Sequence, residues 1–280
     1  MWNQIKTVLL LGILTGLLLI FGSLFGREGL VIALVFVVLM NTITYLFSDK
    51  IALAMYRARQ IKKNEFPWLH KMVKEIAKEA KIPEPRGIYI IPTQQANAFC
   101  AGRGPGHYVV ACTDGILKIL NREELKGVLA HEVSHAKNRD VLVATVAATI
   151  AGVILYLSYI ARFTAFAGND DNRGAGSILG LLVLVILTPL IAPIIQLAIS
   201  RSREYLADET GARILKDGKP LASALEKINA SVKNTPMHFG SEAAASLFIA
   251  NPFKGNALIN LFSTHPPFEE RVKKLRSMNF

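Results

Sequence analysis

The stretch that decides the fold is HEVSHAKNRDVLVATVAATIAGVILYLSYIA, residues 131–161, because it joins two signals with almost nothing between them. His131 and His135 stand four residues apart, so on a helix they share one face and can grip one Zn2+, with Glu132 between them within reach of a water activated there. Asp140 closes the charged part, and from Val141 to Ala161 no charged residue follows. A hydrolytic metal centre placed directly against a membrane is what this juxtaposition implies.

The rest of the composition agrees. The chain of 280 residues is 51% hydrophobic with a mean hydropathy of +0.35, and only 19% is charged, below the usual share of about 25%. Four uncharged runs carry the excess: Val8–Phe25, Leu30–Phe47, Val141–Ala161 and Ile178–Ser200. The first two are about 18 residues long, near the lower limit for crossing a bilayer, and the last two are long enough to span comfortably. Lys6 before the first run gives it the look of a secretory signal. No small-x-small cleavage site follows, however, and the next run begins after only Gly26-Arg27-Glu28-Gly29, so an uncleaved helical hairpin is expected.

Basic residues set the orientation. Lys50, Arg57, Arg59, Lys62 and Lys63 follow the second run, Lys137 and Arg139 precede the third, and Arg201 and Arg203 follow the fourth. The opposite loops are nearly neutral by count, Arg27 with Glu28 in one, and Arg162 and Arg173 with Asp170 and Asp171 in the other. The positive-inside rule then puts both termini and the His131–His135 segment in the cytoplasm. A net charge of +11 suits a domain lying on an anionic membrane face, and no aromatic-plus-basic pattern calls for nucleic acid. Cys100 and Cys112 read as small buried hydrophobes rather than a zinc site or a disulfide.

Outside the apolar runs, residues 57–140 and 201–280 amount to one domain built from two pieces of chain. Pro67–Lys81 has helical spacing through Leu69, Val73, Ile76 and Ala77, while Gly87–Ile91 and Tyr108–Cys112 are β-branched runs bounded by turn residues, with Asn97–Phe99 a further strand candidate. The metal-motif helix starts at Asn121, a good N-cap, with Glu124 three residues on completing a capping box. Leu125, Val128, Leu129 and Val133 form its apolar stripe, placing His131 and His135 at the border between core and cleft. His70, His107 and His238 lack ligand spacing and read as surface or packing residues.

A catalytic zinc needs a third protein ligand and an open position. If Val141–Ala161 leaves the cytoplasm and Ile178–Ser200 returns, Arg201 re-enters close to where Asp140 departed, and the first acidic residue beyond it is Glu204. An antiparallel hairpin therefore delivers Glu204 to His131 and His135. Asp208, one turn later on the same face, is placed to hydrogen-bond a ligand histidine and fix its tautomer.

HEVSHAKNRD (131–140), the apolar pair of runs and REYLAD (203–208) together resemble the HtpX family of membrane-embedded zinc endopeptidases, kin of the CAAX prenyl proteases and of a mitochondrial inner-membrane protease. The resemblance extends over nearly the whole chain through SDKIAL (48–53), NAF (97–99) and STHPP (263–267) with Arg271 beyond. It implies one zinc per chain on His131, His135 and Glu204, Glu132 as general base, and His265 and Arg271 as donors to the oxyanion. It further implies that Asn97, Ala98 and Phe99 form an edge strand that pairs with substrate.

The expected fold is α+β: a polytopic membrane protein with two transmembrane helical hairpins (1–56 and 141–200) and a mostly helical zincin-like catalytic domain (57–140 and 201–280) carrying a small β-sheet. The expected function is endopeptidase cleavage of misfolded or damaged membrane proteins from the cytoplasmic side of the cell's inner membrane, a quality-control role that comes from the resemblance. Expected partners are membrane-protein or unfolded polypeptide substrates, the lipid bilayer and other membrane proteases. A CAAX-type prenyl protease and a non-catalytic zinc-binding scaffold are the alternatives; four spans and two hairpins are meagre for a lipid chamber, and a scaffold has no use for Glu132.

Overall fold

The computed structural model describes residues 2–23, 26–147, 149–150, 201–234, 249 and 266–280. Two long apolar helices open the chain, α1 (Trp2–Ser23) and α2 (Gly26–Met55). They pack side by side and are tied by Asn41 Nδ2–H donating to Thr15 Oγ1 at 2.8 Å, a polar link of the kind that joins helices where no water competes. Ala33, Val37, Thr44, Ser48 and Ala52 of α2 are buried, whereas Val31, Ile32, Val35 and Val38 are more than half exposed. Among the described residues only α2 is long and apolar enough to cross a bilayer; the apolar helical stretch of α1 is the shorter Ile5–Gly16. Of the expected second hairpin, residues 141–147 and 149–150 are helical and the remainder lies outside the described residues.

A four-stranded mixed sheet follows, β1 (Arg59–Gln60), β2 (Ile88–Ile91), β3 (Ala98–Gly104) and β4 (His107–Thr113), in the order β1-β2-β4-β3. β2 runs parallel to β4, and β3 folds back antiparallel on β4, which leaves β3 at an edge. The strand expectations at 87–91 and 108–112 correspond to β2 and β4, while β3 runs well past the three residues expected, to Gly104. Short β1 had no periodicity from which to be read.

Six helices complete the described fold: α3 (Pro67–Glu79), α4 (Asp114–Ile119), α5 (Arg122–Lys137), α6 (Arg201–Leu215), α7 (Lys219–Asn234) and α8 (Phe268–Arg276). α5 is the centre, packed by α3, α6, α7 and β3. Its capping box is complete: Glu124 N–H donates to Asn121 Oδ1 and Asn121 N–H to Glu124 Oε2, both at 2.9 Å. Glu124 does more than cap, since its carboxylate also accepts from Ser223 Oγ at 2.7 Å and Lys227 Nζ at 2.8 Å, fastening α7 to the start of α5.

The apolar stripe marks one face of α5, yet nearly every residue from Glu124 to Ala136 is buried, His131, Glu132 and Ser134 included, while His135 stays half-buried at the border expected. The stripe finds only the apolar face; the other faces are covered by α6 and α7 through small residues. A Cβ on Gly127 would stand 2.7 Å from Leu221 N, and one on Gly211 would stand 3.0 Å from His131 N, so glycine at both positions lets backbones meet.

Candidate metal centre

Helical geometry does the first part of the assembly. On α5, His131 and His135 project from one face with their rings edge to face at 4.8 Å and their Nε2 atoms 3.2 Å apart. α6 crosses α5 closely because of Gly211, and it carries Glu204 to the pair: Oε2 lies 3.8 Å from His131 Nε2 and Oε1 3.6 Å from His135 Nε2. The three ligand atoms all fall within 4.8 Å of one another. The long-range juxtaposition expected from the chain's return is present, with His131 and Glu204 buried and His135 half-buried.

Behind each imidazole stands a carboxylate. Asp208 Oδ1 is 2.9 Å from His131 Nδ1, an ion-pair distance whose direction is bent away from a straight hydrogen bond. Asp140 Oδ2 is 3.1 Å from His135 Nδ1. Asp208 stands where such a partner is expected from the sequence; Asp140 is not among the expected site residues, and its one sequence signal is an acid five residues after the second histidine. With both Nδ1 atoms facing acids, both Nε2 atoms present lone pairs toward one another and toward a third carboxylate. That arrangement repels itself unless a cation or a trapped proton lies between, and two imidazoles with one carboxylate are the donor set zinc takes.

The electrostatics say the same. Burial works against a charged His135, yet the carboxylates of Asp140, Glu204 and Glu132 outweigh it and push the imidazole up to about 10. His131, more deeply buried, is held below the usual histidine range by that burial, with Asp208 opposing. Burial first, and then the charge of Glu204, raise Glu132 to about 8. Asp208 is buried too, but the guanidinium of Arg271 prevails and keeps its carboxyl at about 2. A nest of acids able to hold an extra proton on His135 can equally hold a divalent cation.

Glu132 directly follows His131, and its two oxygens differ. Oε2 accepts from Cys100 N–H at 3.1 Å, while Oε1 is buried and has no hydrogen-bond partner among the described residues. A buried carboxylate oxygen left open in this way is costly, and such exceptions call for a functional reason. Arg271, expected as an oxyanion donor, is fully buried and commits Nε to Asp208 Oδ2 at 2.8 Å and Nη2 to Asp208 Oδ1 at 2.7 Å. Its Nη1 has no hydrogen-bond partner among the described residues and lies 3.7 Å from Glu204 Oε2. Arg271 thus grips the acids behind the ligands. His265, the other expected donor, lies outside the described residues, as does His238.

Asn97, Ala98 and Phe99 are all fully buried at the start of β3. Asn97 N–H donates to Thr113 Oγ1 and Asn97 C=O accepts from Thr113 N–H, which locks the strand's inner edge to β4. Along the outer edge Ala98 C=O accepts from Ile249 N–H, Cys100 N–H donates to Glu132, and Gly102 N–H donates to Thr145 Oγ1. The strand therefore runs directly past the metal motif, its outward groups held by its own chain.

Comparison with known proteins places this arrangement. The model of peptidase family M48 matches residues 63–279. A protein of Persephonella marina named Protease HtpX homolog is 52% identical over 281 residues, covering 99% of this chain and 97% of the relative. Another of that name from Pyrococcus abyssi is 51% identical over 278 residues, covering 98% and 95%. The crystal structure of S. mikatae Ste24p shares the fold with a TM-score of 0.51 at 20% identity, over 98% of this chain and 65% of that one.

Proposed function

The chain belongs to peptidase family M48 and is a metalloprotease, and from that premise we propose that it is a zinc endopeptidase built into the cytoplasmic membrane that cuts polypeptides on the cytoplasmic side. The observation carrying the reading is the meeting of His131 Nε2, His135 Nε2 and a Glu204 oxygen within 4.8 Å, beside the open Oε1 of Glu132. His131, His135 and Glu204 would hold one zinc, which when bound would supply Lewis-acid polarisation of the scissile carbonyl and would lower the pKa of an attacking water toward ~7.

The chain's own groups do the rest. Glu132 Oε1 takes the proton of the attacking water while Oε2 stays fixed by Cys100 N–H, and the same Oε1 then delivers that proton to the leaving amine. Asp208 orients His131, and Arg271 holds Asp208 and neutralises part of the acid cluster; its anchored geometry supports this positioning role ahead of the oxyanion role expected from sequence. His265 remains the proposed oxyanion donor on the strength of the STHPP motif. Substrate pairs in extended form along β3 at Asn97–Phe99 and beyond, exchanging with the groups that now cover that edge.

The exposed apolar face of α2, and the uncharged runs Val141–Ala161 and Ile178–Ser200, support two membrane hairpins with both termini in the cytoplasm. A centre reached so soon after a membrane helix favours cytoplasmic loops and tails of misfolded or damaged membrane proteins as substrates, with other membrane proteases as partners. A scaffold reading leaves the buried, half-satisfied Glu132 unexplained.

The test uses the full chain purified in detergent. Metal content should be about one zinc per chain, and an unfolded membrane polypeptide should be cleaved. Glu132→Gln should keep the zinc and lose at least ~10²-fold in cleavage rate, the lower range for removal of a general base. A metal-free wild type, or a Glu132→Gln variant as active as wild type, refutes the reading.

A further inference from the structure

Asp140 is 3% exposed, and its sequence position suggests a bland role as the residue capping the helix that begins at 141. The geometry does not support that role. A cap accepts hydrogen bonds from helix N–H groups through its side chain, but among the described residues Asp140 Oδ1 has no hydrogen-bond partner and Oδ2 is paired with His135 Nδ1, at 3.1 Å. The backbone is bent to bring this about. Arg139 sits at φ 60, in the left-handed region that costs an L-residue about 1–2 kcal/mol, and Asp140 N–H closes back onto His135 C=O at 3.2 Å. The chain turns sharply at the end of α5 and returns one acid over its second histidine.

We propose that Asp140 is the positioning residue of His135: by accepting Nδ1–H it fixes the tautomer and ring angle that turn the Nε2 lone pair toward His131 and Glu204. The proposal rests on the zinc reading above. The two imidazoles are then served separately, His131 by Asp208 of α6 and His135 by Asp140 from the segment leading into the third apolar run. The same segment sends Thr145 to Gly102 N–H on β3, so one short piece of chain fixes a ligand and touches the edge strand.

Two substitutions separate positioning from capping. Asp140→Ser supplies a hydroxyl that caps a helix well but is too short to reach Nδ1. Asp140→Asn keeps an oxygen able to accept Nδ1–H. The full chain is stripped of metal in detergent, titrated with zinc against a chromophoric chelator, and melted in its metal-free form. Asp140→Ser should bind zinc ~10–100-fold more weakly than wild type, Asp140→Asn should stay within about threefold, and the metal-free melting points should agree. Cobalt in place of zinc should give the wild-type visible spectrum in Asp140→Asn and an altered one in Asp140→Ser. Wild-type zinc affinity in Asp140→Ser, an Asp140→Asn as weak as Asp140→Ser, or an Asp140→Ser chain that fails to fold overturns the assignment. A wild type that binds no zinc in the same titration refutes the metal reading instead.

Discussion

Replacing Arg271 by leucine tests whether this side chain anchors the site. Arg271 is fully buried and Asp208 is 1% exposed, and they share two hydrogen bonds of 2.8 and 2.7 Å. Leucine fills part of the space but leaves Asp208 as a buried anion without its cation. Removing one partner of a buried pair costs about 3–5 kcal/mol, far more than the pair itself is worth against an apolar replacement. The domain outside the apolar runs has roughly 160 residues, so at about 2.1 cal/mol/K per residue its unfolding entropy is near 0.34 kcal/mol/K and the midpoint should fall by roughly 10–15 °C. Melting is followed in detergent with chelator present, so that loss of a bound metal does not enter. Adding Asp208→Leu to Arg271→Leu removes the orphaned charge, and the double variant should melt above the single one. A midpoint within about 2 °C of wild type for Arg271→Leu, or a double variant that melts lower still, would mean that the pair does not hold the site together.

Further outcomes follow from other parts of the structure. Chelation should abolish cleavage and added zinc restore it, and Glu204→Gln should weaken metal binding by more than the ~10–100-fold that loss of an outer partner costs; a Glu204→Gln chain with full zinc content contradicts the ligand set. Gly211→Ala gains about 1 kcal/mol of helix propensity but puts a methyl 3.0 Å from His131 N, so zinc affinity should fall a few-fold while the melting point hardly moves. An unchanged affinity would show that α6 can shift without moving Glu204. Glu124→Gln should cost about 1–2 kcal/mol through weakened bonds to Lys227, Ser223 and Asn121. Burial works against the Glu124 carboxylate, but Lys227, Ser223 and Asn121 hold its pKa below the usual value. Its stabilisation is therefore present above the unfolded carboxyl range of about 4.3 and is lost as pH falls through the lower folded value. The melting gap between wild type and Glu124→Gln should accordingly close in acid, and a gap that is independent of pH would count against the ion-paired clamp.

The metal-motif helix was legible because its information is local. Asn121 and Glu124 mark its start by a hydrogen-bond pattern confined to four residues, and the ligand pair needs only the helical repeat. Glu204 and Asp208 were legible at long range because two uncharged runs of spanning length separate them from the motif, which led to the expectation that the chain comes back to its starting side. Asp140 was missed for the opposite reason: its side chain reaches His135 only through a left-handed turn at Arg139, which no periodicity announces. The edge position of β3 was legible only through family resemblance, since strand order depends on which pairs close, and a strand's own residues do not state their neighbours.

By itself, then, the amino-acid sequence determined the donor types, the helix that presents two of them and the apolar runs, because side-chain chemistry, helical period and hydrophobic length are properties of contiguous residues. Tertiary structure decided that α5 is buried over most of its surface, that Glu132 keeps one oxygen open among the described residues while Cys100 N–H holds the other, and that Arg271 grips Asp208. Those outcomes depend on backbones meeting at Gly127 and Gly211 and on charges compensated across distant segments, and such terms arise only when the elements pack together.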